Sequence, residues 1–357
     1  MTGILPPDLA GWLAAQAKGI DAGDVPAALI LPRLADAGLA RVGVPGALGG
    51  QGGTAMDAVG AIAAVARESL AAAFMLWGHR CFVEFMVRTP NHALRDRLLP
   101  DLLAGRLAGA SGLSNVMKFL AGLEPLEVTA RPEGDALVID GILPWVTNLR
   151  EQGFVVATAA DPADGGPALI LALAHDDPGV SRGADLALMA MRSSDTAALR
   201  IEGARVPRDR IIAADAPGWL PGVRPAFLAM QCGLPLGLAR RSLDEAAGET
   251  GAGRGVLAAP IAALRARLDQ VAAALEAGLA SGGFVTRPAA LFELRIALSD
   301  IAFEAVSLEL QAGGGRCYLQ GPGGGFARRW REAAFVPVIT PSTVQLRTAL
   351  AALGRAA

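Results

Sequence analysis

Cysteine and histidine are scarce in this chain, and so is any excess of one charge. Its 357 residues include three cysteines and three histidines. Cys81, Cys232 and Cys317 are too scattered for a disulfide framework or a metal knuckle, which fits a reducing, cytoplasmic setting. His79, His92 and His175 are just as dispersed, so no metal centre is expected. Lys and Arg total 32 against 34 Asp and Glu, a formal net charge of −2. Such a balance offers no surface to nucleic acid or to an anionic membrane. Long apolar runs are missing too. Pro225 to Ala239, the longest uncharged run of interest, falls short of the about 20 apolar residues a bilayer needs, and Pro235 and several glycines break it. Asp8 and Lys18 interrupt the first segment, so no secretory pattern is expected there. No glycine-rich fingerprint opens a helix after a strand, which argues against a nucleotide held in the Rossmann manner. No internal repeat is visible.

What the chain does have is alanine and leucine. Hydrophobic residues make up 52% of it, in a mix that favours helix. Its texture changes twice along the length. Residues 1–109 read as helices, and "AMDAVGAIAAVARESLAAAFMLWGHRCFVEFMV" is apolar all round at helical spacing, as a buried helix is. Residues 110–213 read as strands. "LEVTARPEGDALVIDG" is a hairpin signal about a Gly-Asp turn, "GFVVATAADPADGGPALILALA" repeats it, and "AALRIEGARVPRDRII" supplies another strand pair. Residues 214–357 return to helix. Helices, then a compact β unit, then helices make an α+β chain in three segments, not an alternating βαβ one.

The stretch "LPWVTN", Leu143 to Asn148, stands out at the end of an apolar strand. Trp145 is one of only five tryptophans. It either fills the core under the sheet or, with the Thr147 hydroxyl two residues on, makes a ledge for a flat heterocycle.

The order of motifs resembles the acyl-CoA dehydrogenase family over most of the chain. "GVPGALGGQGG" is similar to its early Pro and Gly-Gly turn, and "LRDRLLPDLLAGRLAGASGLS" to the helix and small-residue strand leading to its flavin loop. "DGILPWVTN" resembles the strand whose Trp-x-Thr packs on the isoalloxazine, and "MRSSDTAALRIEGARVPRDRII" the Ser-Asp-Thr strand pair and Val-Pro exit. "LGLARRSLDEA" and "QAGGGRCY" resemble two C-terminal segments. The resemblance implies an N-terminal helical domain, a middle β-barrel-like domain, a C-terminal helical bundle, and FAD as cofactor. It places Trp145 against the flavin ring, Thr147 at its reactive edge, and Ser114 in the flavin loop. Arg254 falls where a family arginine clamps the FAD diphosphate of a neighbouring subunit, which implies a dimer or tetramer. The aromatic-Gly pair that follows it in the family is replaced here by Leu257 and Ala258. Gly314 and Gly315 fall at the paired glycines that let backbone approach the cofactor, and Ser342 where a hydroxyl meets it.

The family's base is missing. Its members remove an α-proton with a carboxylate, which must be in reach of that proton. "WREAAFVPVITPST" keeps the lead-in at Arg331 and Glu332, but Thr340 and Pro341 stand where the family has Glu-Gly. At the alternative position on the first C-terminal helix stand Phe227 and Leu228. The flavin loop departs as well, as "LSNVMKFLAGLEP", with Asn115 in the place of an acid. Three readings follow. The chain is a flavin dehydrogenase acting on an acyl thioester with a base from elsewhere. Or it is a reduced-flavin-dependent monooxygenase, with His79 as a candidate acid or base unless that residue is a satisfied core histidine. Or it is a non-catalytic subunit of a mixed oligomer whose related partner supplies the glutamate.

Overall fold

The structure, a computed structural model, describes residues 5–120, 124–249, 251, 253–319, 321 and 324–356. Five helices come first: α1 (Pro7–Ala22), α2 (Ala27–Asp36), α3 (Ala55–Glu68), α4 (Leu70–Arg88) and α5 (His92–Leu103). Local chemistry sets their ends. Thr54 caps α3 reciprocally: its hydroxyl accepts from the Asp57 amide at 3.3 Å, and its own amide donates to the Asp57 carboxylate at 2.7 Å. Every residue of α4 from Leu70 to Met86 is buried, as its all-round apolar pattern predicts. By length and composition α4 passes as a membrane span, but 94% of that window is buried inside the fold. Side chains such as Leu76, Phe82 and Phe85 each contribute about 1.5–3 kcal/mol by leaving water.

Eight strands follow: β1 (Ala108–Ser111), β2 (Val128–Glu133), β3 (Ala136–Val146), β4 (Phe154–Pro162), β5 (Leu169–Ala174), β6 (Val180–Asp185), β7 (Ala197–Pro207) and β8 (Ile211–Ala213), with the short α6 (Ser114–Leu120) after β1. They form one mixed sheet in the order β6-β7-β3-β2-β4-β5-β8, with β1 beside β4. The chain reverses at Gly134, φ 61°, between β2 and β3. β4 changes neighbours along its length, running parallel to β1 at its start and to β2 at its end. The expected strand pair in "AALRIEGARVPRDRII" consists of β7 and β8, which do not pair with each other. β7 lies between β3 and β6, and β8 pairs with β5.

The remaining helices are α7 (Ala216–Gly248), α8 (Ala258–Ala280), α9 (Gly283–Thr286), α10 (Pro288–Gly313), α11 (Gly324–Phe335) and α12 (Thr343–Ala356). Asp215 caps α7 by accepting from the Gly218 amide at 3.1 Å. α7 packs on α3 through Gly233 and Gly237, where a Cβ would fall 2.8 Å from the Val59 carbonyl oxygen and 2.2 Å from that of Ala63. Only hydrogen fits there.

Candidate active site

A cavity of about 580 Å³ opens where α4, the ends of β1 and β3, the start of α7 and the segment after α11 meet. Trp145 is on its wall and 58% exposed, so the core-packing alternative for this tryptophan fails. A bulge explains how a strand residue comes to point outward. Between Leu143 and Val146 β3 advances three positions while β7 advances two, from Leu199 to Ala197. The unpaired step falls on Pro144 and Trp145, both exposed, and breaks the in-out alternation. Proline is tolerated there because a bulge asks for no amide donor.

Thr147 lines the same cavity and belongs to a chain of hydroxyls. Its Oγ1 lies 3.0 Å from Thr196 Oγ1, which lies 2.8 Å from Ser194 Oγ, and all three residues face the cavity. Three residues that hold this wall have left-handed backbone without being glycine: Asn148 at φ 66°, Met191 at φ 60° and Asp195 at φ 46°. Such conformations cost of order 1 kcal/mol or more each and persist only where neighbours impose them. Here the neighbours are identifiable. The Asn148 side-chain amide donates to the Met75 carbonyl at 2.8 Å and the Gly109 carbonyl at 3.1 Å, tying β3 to α4 and β1. The Met191 amide donates to Asp21 Oδ1 at 2.9 Å, and Asp21 Oδ2 holds Arg331, another cavity residue, at 2.5 Å. One carboxylate on α1 thus fixes two walls.

The inner wall is aromatic. Trp77 and Phe227 have ring centroids 5.4 Å apart, Phe74 meets Phe335 edge-on at 5.2 Å, and Phe85 stacks on Phe227 at 6.3 Å. Phe227 therefore occupies the alternative base position as a packing residue. Thr340 is also on the wall. Its carbonyl accepts from Gln231 at 2.9 Å, and Gln231 is held by Arg295 Nε at 2.6 Å. Arg295 also donates to the Val336 carbonyl at 2.6 Å, so this buried guanidinium anchors the segment that carries Thr340. Burial lowers its pKa to about 10.

The expected site residues fall into three places. Ser114, Trp145 and Thr147 share the cavity with Asn115, Phe227 and Thr340. Arg254, Gly314 and Gly315 lie apart from it, where α8 begins and α10 ends. Arg254 donates to the Ala312 carbonyl, and a Cβ on Gly314 would lie 3.4 Å from its guanidinium. Gly314, at φ 58° and ψ −148°, is in a region open essentially to glycine alone. At Gly315 a Cβ would meet nothing. Ser342 caps α12, accepting from the Gln345 amide at 3.2 Å while its own amide donates to the Gln345 side chain at 2.6 Å.

His79 is a satisfied core histidine and not a cavity acid or base. Its Nδ1 accepts from the Gly109 amide at 3.0 Å, which leaves Nε2 to donate to the Leu102 carbonyl at 2.9 Å. Burial pulls its pKa down to about 3, so the ring stays neutral. Glu332 is likewise structural: fully buried, it accepts from Arg328 at 2.7 and 2.8 Å and from the Leu70 amide at 3.1 Å. The expected flavin loop begins as the helix α6, and its residues 121–123 lie outside the described residues. Two carboxylates of the segment after it, Glu124 and Glu127, line the cavity although no motif in the sequence marks them. Glu124 accepts from the Asn115 side chain at 2.8 Å. Among the described residues no group of His, Cys, Asp and Glu could hold a metal.

Two helical units flanking a mixed sheet, with an apolar, hydroxyl-edged cavity at their junction, define the class of protein. Residues 11–106 match the family profile described as acyl-CoA dehydrogenase, N-terminal domain. The "Probable acyl-CoA dehydrogenase FadE25" of Mycobacterium tuberculosis is 24% identical over 308 residues, 81% of this chain and 78% of the relative. A glutaryl-coenzyme A dehydrogenase solved with glutaryl-CoA superposes with a TM-score of 0.84 at 18% identity, covering 96% of this chain and 92% of that one. KijD3, solved with FMN and a dTDP-linked sugar, superposes with a TM-score of 0.79 at 22% identity, covering 97% and 91%. The chain has the acyl-CoA dehydrogenase fold and an acyl-CoA dehydrogenase N-terminal domain, as the order of its motifs led us to expect.

Proposed function

We propose that the protein is a flavin-dependent oxidoreductase whose cavity takes the flavin ring and an acyl thioester or similar small substrate. Trp145 carries the reading. A large indole held 58% exposed by a strand bulge, with a hydroxyl two residues on, is costly in water and useful against a flat ring. The cavity residues fit such a group: Trp145 offers a plane, Thr147 and Ser114 offer hydroxyls, and the aromatic wall excludes water. The flavin supplies hydride transfer or, once reduced, oxygen activation, while the protein orients and tunes it. Thr196 and Ser194 orient the Thr147 proton by continuing its hydrogen-bond chain.

FAD is the flavin we favour, because Arg254 beside Gly314 is suited to a diphosphate and lies apart from the cavity. The same pair underlies a homo-oligomer in which one subunit's Arg254 serves its partner's site. A cytoplasmic location goes with three unpaired thiols, two of them buried. Neutral Thr340 and Phe227 at both expected base positions favour a second reading, the reduced-flavin monooxygenase. The dehydrogenase reading requires a carboxylate, and among the described cavity residues Glu124 and Glu127 are the two available.

Release of the flavin by heat and chromatography identifies it, with FAD expected. Anaerobic mixing with straight-chain acyl-CoAs should then bleach the oxidised flavin slowly or not at all, because a positioned base is worth about 10²–10⁴ in rate. Fast bleaching that Glu124→Gln or Glu127→Gln abolishes would make that residue the base. Bleaching only after a glutamate-bearing relative is added would identify a mixed oligomer. Oxygen uptake by externally reduced protein, without bleaching, would establish the monooxygenase. Failure to bind any flavin would sink the proposal.

A further inference from the structure

Leu220, Val223, Arg224 and Phe227 recur at three- and four-residue spacing and present one face of α7 to the cavity. Three are apolar. Arg224 is not, and its surroundings are unusual for a guanidinium. Among the described residues it has neither a hydrogen-bond nor an ion-pair partner, and its guanidinium carbon lies over the ring of Phe292, 5.5 Å from the centroid. The cavity's other guanidinium, Arg331, is neutralised by Asp21. Arg224 is partly buried, and desolvation lowers its pKa. Withdrawing a cation from water without a counter-charge is unfavourable. A cation–π contact of this length offsets part of that cost and fixes the plane of the fork, leaving its N–H edges for another acceptor.

We infer that Arg224 is an anion-recognition residue of the cavity: the ligand that fills it carries a carboxylate or phosphate, which the Arg224 fork receives beside Phe292. The inference rests on the reading of this cavity as the substrate site and adds to it a class of substrate. A planar fork grips either oxyanion with two parallel hydrogen bonds. The two sources differ in where the charge resides. A carboxylate would be at the far end of the acyl chain, and a phosphate would belong to its carrier.

Calorimetric titration of the intact flavoprotein with matched ligands separates them. Glutaryl-CoA against valeryl-CoA isolates a carboxylate on the acyl chain, and valeryl-phosphopantetheine against valeryl-pantetheine isolates a phosphate of the carrier. In one pair the wild-type protein should prefer the anionic member by about 10- to 100-fold, the range of charge-assisted hydrogen bonds. Arg224→Gln should erase that preference without weakening the neutral member, and Arg224→Lys should restore part of it. The pair that responds names the anion. Equal affinities within both pairs for the wild-type protein, or a preference unchanged in Arg224→Gln, would overturn the inference. Flavin content, read from absorbance, is a separate measurement. An Arg224-dependent preference in a protein that binds no flavin would keep this inference and sink the flavin reading. A flavoprotein without such a preference would do the reverse. If Arg224→Gln does not fold, Arg224→Lys and the wild-type preference decide the matter between them.

Discussion

Trp145 and Trp77 face the same cavity under opposite conditions, one 58% exposed and the other 6%. The exposed indole has little packing to lose. Trp145→Ala should therefore leave the unfolding midpoint within about 2 °C while weakening flavin binding by up to about tenfold, the worth of one aromatic stack. Trp77 is packed between Phe74 and Phe227, and its Nε1 donates to the Phe227 carbonyl at 3.4 Å. Trp77→Ala should cost about 3–5 kcal/mol of stability. Flavin titration and denaturant unfolding of both variants check the contrast. Asp195, between the hydroxyls of Ser194 and Thr196, adds a pH dependence. Burial, with Asp185 nearby, raises its pKa from 3.8 to about 6. The folded chain thus holds this proton more tightly than the unfolded one. The resulting stability is complete below 3.8 and is lost as pH rises through about 6. Asp195→Asn cannot ionise and tolerates left-handed backbone. It should be more stable than wild type by about 1–2 kcal/mol near pH 8, after allowing for the solvent that reaches a partly buried carboxyl. The difference should vanish near pH 4. A gain that did not depend on pH would refute the electrostatic cause.

At the scale of elements, α7 carries glycines of opposite kinds. Gly237 is pressed against the α3 backbone, whereas a Cβ on Gly222 would meet nothing. Gly237→Ala should destabilise by about 3 kcal/mol or more, because a backbone carbonyl cannot yield as a side chain does. Gly222→Ala should stabilise by about 0.5–1 kcal/mol through helix propensity. Thermal unfolding of the two variants tests the packing of α7 on α3. The legibility of elements in the sequence follows the same physics. The run from Ala55 to Val87 reads as one buried helix, but Ser69 divides it into α3 and α4 by capping the second, its hydroxyl accepting from the Ala72 amide at 3.3 Å; the β2–β3 hairpin is readable because Gly134 takes a positive φ at the turn. β6 is not, since "VSRGAD" buries no residue fully and shows no apolar alternation. α6 falls where the resemblance implies a flavin loop, and the likeness breaks down there, because Ser114 begins a helix. In the site, Trp145 and Thr147 could be found from a rare indole beside a hydroxyl. The bulge that turns Trp145 outward depends on strand pairing with β7, and the approach of Glu124 and Glu127 to the cavity depends on tertiary placement. Neither leaves a local trace.

Across the whole molecule, the exposed apolar side chains gather toward the C-terminal half. Val256, two residues after Arg254, is 77% exposed, and Tyr318, four after Gly314, is 88% exposed. Both lie in the short 3-10 turns that bring Arg254 against Gly314. Exposed apolar side chains on the two turns that meet at a cationic fork are costly in water and are commonly covered by a symmetric copy. If Arg254 of one subunit completes its partner's flavin site, assembly and flavin retention must be linked, because what binds only the assembled form stabilises it. Val256→Asp or Tyr318→Asp should shift sedimentation from dimer or tetramer to monomer and lower flavin occupancy together, by about tenfold in affinity if one phosphate grip is lost. Trp145→Ala should lower occupancy with sedimentation unchanged, since its cavity lies apart from this face. Arg254→Ala should fall between, weakening flavin binding while leaving most of the apolar contact in place. A wild-type protein that sediments as a monomer at micromolar concentration with its flavin bound would break the link, and Arg254 would then be only the side chain that holds the end of α10 through the Ala312 carbonyl.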